Sequence, residues 1–164
     1  GMEVDILEDG SLDLSSEELG MLDVVVASIH SHFHLSAGQM LERLTRAMKN
    51  PHVQCIGHPT GRLLGHRSGF PIDWEAFLKL AAETGTMLEL NSNPARIDLP
   101  ARHLQRCREL GIPIWISSDA HSTSGLHGIR RGVVEARRAL VRTNEIANTL
   151  PLEELRRLLK RKKG

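Results

Sequence analysis

Residues 86–118 read TMLELNSNPARIDLPARHLQRCRELGIPIWISS, and this stretch decides the fold class. Thr86–Asn91 and Pro113–Ser118 are short apolar runs of the kind that favours strands. An amphipathic helical pattern over Pro100–Leu110, closed by Gly111, separates them. Because a strand, a helix and a second strand form a parallel crossover unit, the stretch predicts an α/β protein.

The same alternation continues in both directions along the chain. Further strand patterns lie at Val4–Leu7, Asp23–Ile29 and Val53–Gly57, and further helical patterns lie at Ser36–Met48, Trp74–Thr84, Gly128–Leu140 and Leu152–Lys162. Repeated strand and helix pairs form either an open doubly wound sheet or a barrel. In both architectures the chemistry lies at the C-terminal ends of the strands.

Length and composition predict one globular domain over residues 1–164, with 40% hydrophobic and 25% charged residues. No apolar run is long enough to cross a membrane and the N-terminus has no signal pattern, so we expect a cytoplasmic protein without a membrane partner. Cys55 and Cys107 lie in apolar stretches, which predicts reduced core thiols. Gly1-Met2 has the pattern of a tag remnant before an initiator methionine.

The residue types point away from some functions and toward others. Aromatic residues are only 3% of the chain, which argues against modules that stack nucleic-acid bases, whereas nine histidines invite a search for metal ligands. Although the net charge is only +1, the C-terminal region is basic, with 11 Lys and Arg against 4 Asp and Glu from Arg130 onward. That run favours the solvated face of a last helix over a phosphate-binding surface.

Polar residues follow four of the predicted strands. His30, His58, Asn91 and the Asp119-Ala120-His121 segment each come directly after, or end, an apolar run, whereas Glu3 opens the first predicted strand. Carboxylates and imidazoles at one edge of a parallel sheet are suited to binding a metal or a phosphate. Asp-x-His alone is a weak motif, since Asp119 could equally cap the following loop.

His30-Ser31-His32-Phe33-His34 places three histidines at alternating positions as a strand runs out. If the extended conformation stops at His30, only that side chain is held rigidly, so His30 is the candidate ligand and the other two are polar loop residues.

The segment Gly57–Arg62 reads GHPTGR. Pro59 is expected to keep His58 extended, and Gly61 allows a sharp turn. Such a turn could bring Arg62 over a bound anion, and a surface salt bridge is an equally good interpretation of Arg62.

Several segments together resemble the polymerase-and-histidinol-phosphatase (PHP) domain family, and within it the C-terminal part of the PHP domains of bacterial X-family DNA polymerases. The segments that carry the resemblance, in chain order, are EVDILEDGSLD (3–13), VASIHSH (26–32), GHPTGR (57–62), LELNSNP (88–94) and SDAHS (118–122). Because they occur together in this order, each weak motif becomes stronger evidence for the resemblance.

The resemblance implies a distorted seven-stranded β/α barrel with a trinuclear site of zinc, manganese or iron that acts on phosphoesters. By matching position, the metal ligands are Glu3, His30, His58, Asp119 and His121. Arg62 and Asn91 are candidates for holding the phosphate. The metals would polarise phosphoryl oxygens and lower the pKa of a bound water.

The sequence departs from the family pattern at its start. The His-x-His strand with which family members begin is absent before Glu3, which predicts an N-terminally truncated, partial barrel of the PHP type. At most the Glu3–His30–His58 centre then keeps its protein ligands. Two interpretations follow: a metal-dependent phosphoesterase, with DNA ends among its possible substrates, or a non-catalytic remnant that binds metal or phosphate and acts through a partner.

A partial barrel would also expose two sheet edges. Unpaired edges favour association, so we expect the chain to form a homo-oligomer.

Overall fold

A computed structural model describes residues 1–160 and contains a five-stranded parallel sheet. Its strands are β1 (Met2–Asp5), β2 (Val25–Ser28), β3 (Cys55–Ile56), β4 (Met87–Asn91) and β5 (Ile114–Ser117). The α-helices are α1 (Ser16–Gly20), α2 (Ala37–Lys49), α3 (Trp74–Thr84), α4 (Ala101–Glu109), α5 (Ile129–Arg138) and α6 (Leu152–Lys160). The α/β prediction is confirmed. The predicted end of the last helix, at residue 162, lies outside the described residues.

The order of the strands selects between the two architectures that the sequence left open. The strands pair in chain order from β1 to β5, and every pair is parallel. A doubly wound sheet reverses its strand order, whereas a β/α barrel advances in one direction. The sheet is not closed among the described residues, so the architecture agrees with the predicted partial β/α barrel.

The two faces of the sheet differ in chemistry because side chains alternate along each strand. One face carries apolar residues, such as Ala27, Leu88 and Ile116, that pack with α2 to α5 in the main core. The other face carries Glu3, Cys55 and Met87 in one row across the strands, and Glu89 two residues further toward the C-terminal end of β4. This second face holds the candidate site.

Helix α6 covers the apolar part of the second face. Leu155, Leu158 and Leu159 pack against the cluster of Cys55, Met87 and Ala147. Cys55 and, in the main core, Cys107 are buried and form no disulfide within residues 1–160, as the sequence predicts. Within residues 1–160, no helix has both the length and the hydropathy needed to cross a membrane.

Both outer edges of the sheet are partly covered by the chain itself, which corrects the expectation of two exposed edges. Along β5, the Asn148 side chain accepts a hydrogen bond from the Ile116 N–H at 3.1 Å and donates one to the Ile116 carbonyl at 2.7 Å. Along β1, Asp13 accepts from the Asp5 N–H at 3.0 Å and donates its own N–H to the Asp5 carbonyl at 3.1 Å.

The first strand ends earlier than the predicted Val4–Leu7. After Asp5 the chain turns at Gly10, whose φ is +84°, and Ile6 pairs antiparallel with Leu12. Glu3 therefore lies inside β1 rather than at its start. Helix α1, a five-residue helix with Ser15 and Glu18 forming a capping box, is not predicted by the sequence pattern.

Candidate metal centre

Three of the predicted ligands meet on the second face of the sheet. Glu3 Oε1 lies 3.2 Å from His58 Nε2 and 3.6 Å from His30 Nε2, and the two Nε2 atoms are 3.2 Å apart. Among the described residues this is the one group of at least three His, Cys, Asp and Glu side chains with ligand atoms close enough to hold one metal ion. The three donor atoms form a triangle with nearly equal sides.

Strand order explains why these residues meet. Glu3 lies in β1, His30 follows β2 and His58 follows β3, and these are three adjacent strands. The parallel crossovers place the two histidines at the C-terminal ends of neighbouring strands. His32 has a positive φ of 55° and an exposed side chain, so the extended conformation does stop near His30.

Asp5 orients His30. Its Oδ1 makes a short hydrogen bond with His30 Nδ1, which turns the Nε2 atom toward Glu3. Histidines that bind metals usually donate their other ring N–H to a carboxylate or carbonyl, and this bond fixes both tautomer and orientation. Asp5 therefore supports the candidate ligand without itself belonging to the triangle.

The backbone at His58 is held by a buried carboxyl group. His58 has a φ of +27°, which contradicts the expectation that Pro59 keeps it extended. The His58 N–H donates to Glu89 Oε2, and Glu89 also accepts from Ser117 Oγ and Asn91 Nδ2. This hydrogen bond to a buried acceptor holds the left-handed conformation in place.

A second buried carboxyl group holds the rest of the loop. Asp98 Oδ2 accepts from the Thr60 N–H at 3.0 Å and from Thr60 Oγ1 at 2.7 Å. Gly61 has the positive φ, +64°, that the predicted turn requires. The ligand-bearing segment after β3 is thus fixed at two points.

The pKa shifts of the acidic groups follow from these contacts. The hydrogen bond with His58 lowers the pKa of the Glu3 carboxyl to about 2, although partial burial opposes this effect. Glu3 is therefore ionised at neutral pH, as a metal ligand must be. Burial raises the pKa of Glu89 and of Asp98, against the lowering effect of the donors that face them.

The geometry of the triangle fits a divalent metal ion. Ligand atoms about 2.0 to 2.1 Å from a tetrahedral ion stand about 3.3 Å apart, close to the separations of 3.2, 3.2 and 3.6 Å here. Two imidazoles and one carboxylate also suit zinc, iron and manganese. Three protein ligands leave at least one coordination position open, which is typical of catalytic sites.

The other two predicted ligands do not join this triangle. Asp119 has a φ of +50°, and its Oδ2 contacts Arg96 Nε at 3.3 Å and Asn91 Nδ2 at 3.1 Å. The His121 side chain is 87% exposed, and its Nδ1 lies 3.0 Å from the Asp119 carbonyl oxygen. Arg96 thus provides the positive charge beside Asp119, so assignment of these two residues as metal ligands stays a prediction.

The two predicted phosphate-binding residues make hydrogen bonds within the protein. Arg62 donates through Nε to the Arg96 carbonyl at 2.9 Å and through Nη2 to the Ile97 carbonyl. Asn91 Nδ2 bridges Glu89 and Asp119 at 3.3 and 3.1 Å. In these positions both side chains stabilise the loops around the centre. Phosphate binding by either residue stays a prediction.

Sequence reasoning missed Asp5, Glu89, Arg96 and Asp98. Two of them had a detectable signal: Glu89 is a charged residue inside an apolar strand, and Asp5 follows Glu3 at the period-two spacing that places both on one face. Arg96 and Asp98 lie in an irregular loop, where no helix or strand periodicity in the sequence indicates which way a side chain points.

Comparison with known proteins gives relatives of two kinds. The chain is 43% identical over 161 residues to the DNA polymerase/3'-5' exonuclease PolX of Bacillus subtilis, covering 98% of this chain and 28% of that protein. It is 31% identical over 175 residues to a protein named "Probable phosphatase" from Thermoanaerobacter sp., covering 99% of this chain and 68% of the relative.

A third relative is a "Probable phosphatase" of Caldicellulosiruptor saccharolyticus, 35% identical over 130 residues. That match covers 74% of this chain and 52% of the relative, so the chain spans about half of that protein and less than a third of PolX. No family model matches the chain.

Proposed function

Since the chain belongs to the PHP (polymerase and histidinol phosphatase) family, we propose that it is a metal-dependent phosphoesterase with its metal at Glu3, His30 and His58. The observation that carries the proposal is the triangle of donor atoms with separations of 3.2, 3.2 and 3.6 Å. When bound, a divalent ion at this place would polarise a phosphoryl oxygen and lower the pKa of a coordinated water.

The protein side chains have separate tasks in this proposal. Glu3, ionised at neutral pH, supplies the anionic ligand, and His30 and His58 supply neutral nitrogen ligands. Asp5 holds the His30 ring in the tautomer that directs Nε2 to the centre. Glu89 and Asp98 fix the loop that carries His58, so the donor atoms are preorganised before substrate arrives.

Zinc, manganese or iron is the proposed metal, because imidazole and carboxylate ligands accept each of them. The proposed substrate is a phosphoester. Relatives named as phosphatases support phosphomonoesters, and the PolX relative, whose name includes a 3'-5' exonuclease, supports DNA ends.

Metal content and hydrolysis test the proposal together. We expect protein purified without chelator to hold about one transition metal ion per chain by plasma mass spectrometry. Glu3→Gln should lose the ion, whereas Glu8→Gln, which changes the charge of an exposed carboxylate outside the triangle, should retain it. Hydrolysis of p-nitrophenyl phosphate or its bis ester should require His30 and His58.

Metal content that is indifferent to Glu3→Gln would contradict the assignment of the centre. Hydrolysis that survives His30→Ala and His58→Ala would contradict its catalytic role.

A second candidate function is a PHP domain that binds metal without hydrolysis. The contacts at Asp119 favour it, because Arg96 and Asn91 occupy the carboxylate that the resemblance assigns as a further metal ligand. In that case the protein would hold one ion at Glu3, His30 and His58 and would show no turnover with either phosphoester.

A further inference from the structure

Arg43, in the middle of α2, has a buried side chain that faces the segments leaving β1 and β2. It is 1% exposed, and its three hydrogen bonds all go to backbone carbonyl groups outside its own helix. No carboxylate oxygen pairs with its guanidinium group within residues 1–160. Buried arginines usually have a carboxylate partner, so a buried cation that binds main-chain acceptors alone is uncommon.

The three carbonyl groups belong to two segments of the candidate site. The guanidinium Nε donates to the Leu7 carbonyl at 2.7 Å, and Nη2 donates to the Ile6 carbonyl. Nη1 donates to the Ser31 carbonyl at 2.9 Å. Ile6 directly follows Asp5, and Ser31 directly follows His30. One planar group thus joins the segment that carries a metal ligand to the segment that carries the hydrogen-bond partner of that ligand.

The turn after β1 lies directly against the backbone of α2. Gly10 has a φ of +84°, and a Cβ atom there would lie 2.5 Å from the Arg43 carbonyl oxygen. The Gly10 N–H donates to the Leu7 carbonyl at 2.9 Å, the same group that accepts from Arg43 Nε. Because only glycine permits this approach, the turn is held both by its own hydrogen bond and by α2.

The side-chain contact that orients His30 is itself exposed. The Asp5 and His30 side chains are 44% and 41% exposed, and a contact between exposed groups restrains them only weakly. The backbones of β1 and β2 are last joined by the Ile6 N–H, which donates to the Ser28 carbonyl at 2.8 Å. Past that bond, the guanidinium group of Arg43 provides the next buried link between the two segments.

We propose that Arg43 is a positioning residue of the metal centre. By fixing the Asp5 and His30 segments against α2, it preserves the hydrogen bond that directs His30 Nε2 toward the metal. The groups that orient a metal ligand affect metal affinity nearly as strongly as the ligands do. This inference rests on the metal centre of the proposed function. Helix packing alone would support stability without altering metal binding.

Cobalt(II) binding tests the inference without requiring turnover, since the visible absorption of this ion reports its coordination geometry. Chelator competition would measure its affinity for the folded protein. Arg43→Lys keeps the positive charge but not the planar fork of donors. We expect cobalt affinity to fall about tenfold and the absorption band to change. Arg46→Lys is the matched control, because Arg46 lies on the same helix and pairs with exposed Asp9, and it should bind as the wild type does.

A double variant separates positioning from a general loss of structure. If Arg43 acts through the bond between Asp5 and His30, Asp5→Ala/Arg43→Lys should bind cobalt within about twofold of Asp5→Ala alone. Losses that multiply in the double variant would overturn the inference. An unchanged affinity and spectrum in Arg43→Lys would overturn it as well.

A second variant moves the same turn without replacing the arginine. Gly10→Ala would push the turn after β1 away from α2, because its Cβ atom meets the Arg43 carbonyl. In metal-free wild-type protein, the His30 Nδ1 proton bonded to Asp5 should give a downfield NMR signal. Arg43→Lys and Gly10→Ala should both weaken this signal, and Arg46→Lys should retain it. A signal that persists in both variants would contradict the positioning role.

The outcomes distinguish this inference from the proposed function. Cobalt binding that Arg43→Lys weakens, in a wild-type protein that hydrolyses no phosphoester, would refute the proposed phosphoesterase and support the inference. Hydrolysis by the wild type, with cobalt binding unaffected in Arg43→Lys, would refute the inference alone. A wild-type protein that binds no cobalt would overturn both.

Discussion

At the scale of single residues, two of the predicted ligands have left-handed backbone conformations, His58 with φ +27° and Asp119 with φ +50°. Non-glycine residues adopt such angles rarely, and the surroundings must hold them there. At His58 the holding contact is the hydrogen bond to buried Glu89. In this conformation Nε2 faces Glu3 and His30. The hydrogen bond that holds the strained backbone therefore also holds the geometry of the site.

Removal of the Asp5 carboxylate should weaken metal binding. In Asp5→Ala the His30 ring loses the partner of Nδ1 and its orientation, so we expect metal affinity, measured by chelator competition, to fall about 10- to 100-fold. Asp9→Ala is the control, because it removes a nearby carboxylate that pairs with Arg46 instead. An unchanged affinity in Asp5→Ala would show that the contact has no role in binding.

Glu89 should be replaceable by an amide but not by alanine. Glu89→Ala leaves the His58 N–H and the Ser117 hydroxyl without their acceptor and leaves Asn91 Nδ2 with Asp119 alone, which costs about 2 to 4 kcal/mol of unfolding free energy. In Glu89→Gln the Ser117 hydroxyl can reverse and accept, so the loss should be at most about half as large. Urea denaturation measures both variants, and equal losses would contradict this explanation.

At the scale of elements, the side chain of Asn148 takes the place of a further strand beside β5. Its amide makes both hydrogen bonds to Ile116 that a neighbouring backbone would make. A free edge can pair with a strand of another chain. This contact occupies backbone groups of the β5 edge and so reduces that tendency. Asp13 has a similar position beside Asp5 in β1.

Asn148→Ala should therefore lower stability and uncover the β5 edge. We expect a loss of about 1 to 2 kcal/mol in unfolding free energy, because the N–H and carbonyl of Ile116 lose their partners. Asn144→Ala, in the preceding turn, is the control and should change little. Thermal denaturation and light scattering of both variants check the prediction, which fails if the two are alike.

At the scale of the whole molecule, stability should depend on pH through His103, which stacks on Trp74 with ring centroids 3.9 Å apart. Burial, with the nearby charges of Arg102 and Arg62, lowers the pKa of His103 to about 4. The unfolded chain, with an ordinary histidine pKa near 6.5, binds this proton first as the pH falls. Stability is therefore complete above about pH 6.5 and declines as the pH falls toward 4.

Comparison with His103→Gln isolates this contribution. Between pH 7 and pH 5 the wild type should lose about 1 to 2 kcal/mol more unfolding free energy than the variant, as measured by urea denaturation at each pH. His127→Gln, which alters an exposed histidine, should follow the wild type. Parallel pH curves for the wild type and His103→Gln would exclude His103 as the source.

We also propose that the chain self-associates. The two sheet edges are partly covered, but an apolar-lined cleft of about 550 Å³ lies between Val24 and α6, with Leu152 60% exposed at its rim. Light scattering at micromolar concentration should give a particle larger than one chain. A monomer under these conditions would reject the proposal.

The sequence by itself determined the elements and the chemistry at their ends. The apolar runs placed the five strands, and the amphipathic patterns placed helices α2 to α5, to within two residues at each end, since periodicity is a local property. The polar residues after those strands, and the motifs around them, were enough to identify the family. His30 could be preferred to His32 for the same local reason.

Only the tertiary structure decided the strand order and which side chains share a site. Asp5 and His30 are 25 residues apart, and His58 and Glu89 are 31 apart, so no local pattern reports their contact. The parallel crossovers bring these residues together, whereas Asp119 contacts Arg96 and Asn91 instead of the triangle. A metal centre depends on distances between atoms of separate strands, and those distances exist only once the sheet has formed.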